Sequence, residues 1–175
     1  MNQDYEFVHN LMLDSCSFDA SATEEKSACE QILKWETEGI IIPIIPHSVM
    51  KEIGAKSTPL WKKEKARGFV TTYDIGLTPE QKTKLEEINK IIAGRGKEEK
   101  YHNDALHILI SQDSGEYFVT ADIRLIDKRE EIYKVLPGIK IVKPSEFVKI
   151  VEEDKNQWVR RKEWRKRQGL PPDFI

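Results

Sequence analysis

Four acidic residues stand where chemistry is possible. Asp14 directly follows the apolar run Leu11, Met12 and Leu13, and Asp122 follows Thr120 at the end of a second apolar run after one further residue. Glu52 lies early in a helical stretch behind another apolar run, and Asp104 lies in the first turns of a later helix. Ligands of open α/β sheets bind outside the carboxyl ends of the strands. Two parallel strands would therefore aim Asp14 and Asp122 at one rim, where helices that follow strands also begin. Like charges gathered in this way raise one another's pKa values and oppose folding unless a cation compensates. A hard divalent ion with oxygen ligands, Mg2+ or Mn2+, is the natural compensator. It would polarise a phosphate and lower the pKa of an attacking water. Each acid also has a plainer role. Asp14 and Asp122 could cap the next helix, and Glu52 and Asp104 could be solvated helix residues. Their shared location at the rim favours the cluster.

The elements that must position these acids follow from pattern. Residues 7–13 read as a buried parallel strand. Ser21 with Glu24 has capping-box spacing before a helix over residues 22–35, and Gly39 ends it by accepting a left-handed conformation. Residues 40–45 form a second strand that Pro43 makes irregular or moves toward an edge. A helix then runs through Val49, Ile53 and Ala55, and a basic helix through Trp61 and Ala66. Residues 69–73 are a short extended run. Thr78, Pro79 and Gln81 have the form of an N-cap, a first helical proline and a capping partner, and the helix they open closes before Gly94. One helix is expected over residues 98–111, a strand over 117–120, a helix over 126–136, a strand over 139–142 and a short helix from Ser145. This alternation predicts an α/β sandwich with a mainly parallel sheet.

Composition removes several classes. The chain has 175 residues, 39% hydrophobic and 33% charged, which suits one domain with a real core. The longest apolar stretch, GIIIPIIP, is too short to span a bilayer, so no membrane is expected. The start MNQDYEFVHN lacks the form of a signal peptide, and two cysteines are too few for a disulfide scaffold. A cytoplasmic location follows by default. Net charge is only -2, but it is uneven. Residues 1–46 carry nine acids and two bases, whereas residues 160–167 hold six bases. Basic patches decide whether a polyanion binds, and the average does not.

LMLDSCSF, PHSVMKEI, YHNDALHILIS and FVTADIRLI together resemble the four signature segments of the PIN-domain nuclease family. The likeness covers about residues 9–148. It implies a three-layer sandwich with a parallel sheet between helices, and an Mg2+- or Mn2+-dependent endoribonuclease acting on RNA. It also implies, for many members, a toxin role beside an antitoxin protein, and frequent homodimers. Asp14, Glu52, Asp104 and Asp122 match the family's acidic positions, and Thr120 with Asp122 matches its Thr-x-Asp. The resemblance thus assigns the metal to Asp14, Glu52, Asp104 and Asp122, and gives Thr120 the task of hydrogen-bonding a carboxylate or a phosphate. Alanine at 121 stands where many members carry asparagine. The chain divides into a nuclease-like domain over 1–150 and a basic, tryptophan-containing extension over 151–175.

Other readings stay open. An acid-cluster phosphohydrolase or phosphate-receiver domain would use Asp14 as nucleophile, although Cys16 stands where a second aspartate would be needed. A noncatalytic RNA-binding or protein-interaction domain is a third. Arg124 could grip a phosphate or lie on the surface. His102 and His107 are five apart and there is no HExxH or Cys-x-x-Cys, so zinc is not expected. Lys51, Lys56, Lys62, Lys63, Lys65 and Arg67 could frame one side of the pocket, with Arg95, Lys97 and Lys100 on another. Residues 160–167 could bind RNA, cover an antitoxin site, or form a charged terminal helix.

Overall fold

The computed structural model describes residues 9–18, 20, 22–72, 76–113 and 115–169. Ser21, Tyr73 and the residues before His9 lie outside them, as does the cap proposed for Ser21. Five strands form the sheet: β1 (His9–Leu13), β2 (Ile41–Ile45), β3 (Val70–Thr71), β4 (Tyr117–Val119) and β5 (Lys140–Val142). Their order is β3-β2-β1-β4-β5, and every neighbouring pair is parallel. Among the described residues, seven α-helices accompany them: α1 (Thr23–Thr37), α2 (His47–Ile53), α3 (Leu60–Arg67), α4 (Pro79–Ala93), α5 (His102–Ser111), α6 (Ile123–Val135) and α7 (Pro144–Arg167).

The period of two along each strand sorts the core onto two faces. Leu11, Leu13, Tyr117, Val119 and Val142 point to one side, where Ile32 and Trp35 of α1, Val49 of α2, Ala66 of α3 and Phe147 of α7 cover them. Met12, Phe118 and Ile141 point to the other, against Ile88 of α4, Ile108 of α5 and Leu125 of α6. The result is helix, sheet, helix: a three-layer α/β sandwich. Strands buried on both faces explain the unbroken apolar runs in the sequence.

Local chemistry sets several boundaries. Gly39 (φ +73°) and Gly94 (φ +55°) take backbone conformations costly to other residues, and they close α1 and α4. The Thr78 hydroxyl accepts from the Gln81 amide at 3.2 Å while the Gln81 side chain accepts from the Thr78 amide at 2.9 Å. That reciprocal pair satisfies two amides that the helix cannot. Pro43 pairs in register with Leu11 inside the sheet, and β3 reaches only Ile44 and Ile45. The proline is tolerated because the neighbouring strand is too short to require its missing donor.

Three expectations change. The helix expected over 98–111 is a 3-10 turn (Glu98–Lys100) followed by α5, separated at Tyr101, whose φ of -111° leaves the helical range. α6 starts three residues earlier than read, because Asp122 caps it by accepting from the Arg124 amide at 2.9 Å. The last helix is not short. α7 runs for 24 residues and passes without a break through residue 150, the boundary drawn from composition. Its buried residues are Pro144, Phe147 and Val151.

Candidate active site at the sheet rim

All strands being parallel, their carboxyl ends form one rim. The chain leaves β1 toward β2 on one side and returns to β4 on the other, so the crevice between β1 and β4 is the topological switch point where such sheets bind ligands. Asp14 and Thr120 occupy that crevice. The Asp14 amide donates to the Val119 carbonyl at 3.1 Å, continuing the β1–β4 ladder. The Thr120 hydroxyl donates to Asp14 Oδ2 at 2.7 Å, and Thr120 is fully buried. The Ser15 amide donates to Asp14 Oδ1 at 2.6 Å. Both carboxylate oxygens are therefore held, and the group is 8% exposed.

Cys16 completes a closed set of contacts. Its Sγ lies 3.1 Å from Asp14 Oδ2 and 3.3 Å from Thr120 Oγ1, and accepts from the Ala121 amide at 3.2 Å. Burial and the Asp14 charge push the thiol pKa up, so Cys16 is a thiol donor and not a nucleophile. The Asp122 amide donates to Thr120 Oγ1 at 3.1 Å, which fixes the start of α6 to the same hydroxyl.

Asp104 is the third residue of α5, and Glu52 lies in the second and last turn of the seven-residue α2. α2 and α5 approach one another over the rim. Asp104 feels all the other acids. Burial first, then the charges of Asp14, Asp122 and Glu52, push its pKa up to about 6 against the pull of Arg124. The four acids singled out in the sequence thus share one electrostatic neighbourhood.

Arg124 is the partial compensator. Its guanidinium pairs with Asp122 and reaches Asp104 Oδ2 at 3.5 Å, with its centre 4.9 Å from the Tyr101 ring. The hydrogen bond to Asp122 raises its own pKa first of all, so it stays charged. Among the described residues no three His, Cys, Asp or Glu side chains are arranged to hold a metal ion as they stand.

No protein-family model matches the chain, and no curated protein matches it.

Sequence reasoning missed one neighbour. His107 is 1% exposed, and its Nε2 is buried without a hydrogen-bond partner. Burial lowers its pKa, while Asp14 and Glu52 work in the opposite sense. A neutral imidazole thus stands beside the carboxylates. The signal was its spacing to Asp104, three residues on along one helix face. The Lys62 ammonium lies 5.8 Å from the Phe18 ring centre, and Lys65 pairs with Glu36. No helix among the described residues is long and apolar enough to cross a membrane.

Proposed function

We propose that this chain is a divalent-metal-dependent endoribonuclease of the PIN type, hydrolysing RNA phosphodiesters at the β1–β4 rim. The observation that carries the reading is the meeting of acids at the rim: Thr120 donates to Asp14 and accepts from the Asp122 amide, and Arg124 joins Asp122 to Asp104. Burial first, and then the charges of Asp14, Asp122 and Glu52, raise the pKa of Asp104 in agreement with that geometry. A purely structural cap would not gather four carboxylates in one electrostatic neighbourhood.

The donor set fits Mg2+ or Mn2+: hard carboxylate oxygens, with Cys16 kept protonated and so a poor competitor. Asp14, Asp104 and Asp122 would anchor the ion directly or through water, with Glu52 assisting. When bound, the metal supplies charge for the phosphate and a more acidic water. The chain's own residues do the positioning. Thr120, Ser15 and Cys16 fix the direction of the Asp14 carboxylate, the support that a metal ligand needs. Glu52 would orient the attacking water and accept its proton. Arg124 holds Asp122 and Asp104 together in the free protein and has the planar donors to take a phosphate oxygen once a cation relieves it.

The test is cleavage of varied RNAs with Mg2+ or Mn2+, with EDTA and Asp104→Asn as controls. Products should end in 5′-phosphate and 3′-hydroxyl. The variant's loss should exceed the roughly 10–100-fold typical of residues that only support a metal site. Cleavage undiminished by Asp104→Asn, or absent with pure wild type, would end the proposal. A toxin role is the narrower form, and growth arrest on expression without a neighbouring antitoxin would distinguish it.

A further inference from the structure

The geometry points to a second RNA-binding element, built from the overhanging half of α7, at the pole of the sheet opposite the acidic rim. α7 starts at the rim, directly behind β5, and runs down the sheet until Asp154 reaches His9, the first residue of β1, at 3.4 Å. Past Asp154 no residue through Arg167 is buried. This overhang therefore occupies roughly 16 to 35 Å of helix measured from the rim, at a rise of about 1.5 Å per residue. It cannot line the acidic crevice of its own molecule.

Residues 155–167 carry seven bases and one acid. At 100° per residue the bases lie on all sides of the helix axis, not on one face. That distribution separates the possible occupants. A membrane surface needs an apolar face, but the exposed Val159 and Trp164 are five residues apart and point in different directions. A helical protein partner needs an apolar seam. The seam of Phe147 and Val151 continues as Asp154, Trp158, Arg161 and Arg165, three of them charged. Phosphates fit bases on every side, and Trp164, 54% exposed with Arg160 and Arg161 beside it on the helix surface, offers a ring to an unstacked base. Single-stranded nucleic acid is the partner this surface suits. The choice of RNA over DNA rests on the ribonuclease reading, whereas the binding itself does not.

The experiment is equilibrium binding of a fluorescent single-stranded RNA, and of DNA of equal sequence, by the full chain in EDTA across a salt series. The variants are Arg160→Gln/Lys166→Gln/Arg167→Gln, its lysine counterpart Arg160→Lys/Arg167→Lys, and Asp104→Asn. The glutamine variant should weaken RNA binding at least about tenfold at 0.15 M salt and flatten the log–log salt slope by about 2, near 0.7 for each lost contact. The lysine variant and Asp104→Asn should bind as wild type. Wild-type affinity in the glutamine variant, or no RNA binding by wild type, would overturn the inference. So would a salt-sensitive homodimer that the glutamine variant loses while RNA binding persists, since a second copy would then be the occupant. Equal affinity for the DNA would overturn the choice of RNA alone. Loss of cleavage in Asp104→Asn with binding kept separates this result from the fate of the nuclease proposal.

Discussion

The rim and the overhang of α7 handle charge in opposite ways. At the rim, like charges are gathered partly or wholly out of solvent, and Asp14, Asp104 and Asp122 are held by named donors. Asp14 alone accepts from Thr120, Ser15 and Cys16. On the overhang, seven bases and one acid stand out in solvent, and Arg167 reaches Glu163 of its own helix at 3.5 Å. Burial makes each rim carboxylate individually consequential, because repulsion and desolvation grow as water is removed. Solvent screens the overhang, so its total charge matters and its individual residues do not. The molecule therefore concentrates strain at one pole and tolerance at the other.

The sharpest way to break that contrast is pH. Asp104 has a folded pKa of about 6 against 3.8 for the ordinary group. Between those values the folded chain holds more protons than the unfolded chain, so stability falls as pH rises through the window and levels off above it. The change is at most about 3 kcal/mol at about 1.36 kcal/mol per unit. In EDTA, Asp104→Asn should therefore be more stable than wild type at pH 7.5 and lose that advantage toward pH 4. Urea melts at several pH values measure it. A variant that is less stable at pH 7.5 would mean that the Arg124 pair outweighs the repulsion.

Metal addition is the second probe. A divalent cation bound at the rim should stabilise wild type by about 2.7 kcal/mol at a hundredfold excess over its dissociation constant. Mn2+ or Mg2+ should raise the melting temperature of wild type and leave Asp104→Asn unmoved. An equal rise in both would place the ion elsewhere.

Third comes the support beneath Asp14. Thr120→Val keeps shape and removes the hydroxyl that donates to Asp14 Oδ2 and accepts from the Asp122 amide. A hydrogen bond to a buried charge contributes roughly 1.5–3 kcal/mol, so the denaturation midpoint should drop accordingly. Thr120→Ser should restore most of it. An unchanged midpoint in the valine variant would show that Ser15 and Cys16 suffice.

What the sequence made legible follows the same division. Asp14 and Asp122 were readable because each sits at a fixed offset from an apolar run, and parallel strands turn that offset into a place. The cap at Thr78 was readable because both partners lie within four residues. Arg124 was ambiguous, since pairing with Asp104 depends on how α5 and α6 meet, 20 residues apart in sequence. The place of Cys16 was not readable, because its contact with Thr120 spans 104 residues and no local pattern encodes it. The length of α7 escaped because the apolar stripe stops at Val151. Beyond it no residue is buried to mark the helix, and Glu, Lys, Arg and Gln favour it by propensity.

That last point supplies the smallest predicted effect. If the overhang is held by propensity and not by packing, neutralising Arg160, Lys166 and Arg167 with glutamine exchanges one good helix former for another. These side chains are exposed, and the pair of Arg167 with Glu163 is an exposed contact of little net value. Folding stability should stay within about 0.5 kcal/mol of wild type, and helix content by circular dichroism should be unchanged. A clear loss would mean that these charges are anchored to the body of the protein. A gain would mean that their mutual repulsion strains the helix. Either result would make the overhang, like the rim, a place where single charges govern the fold.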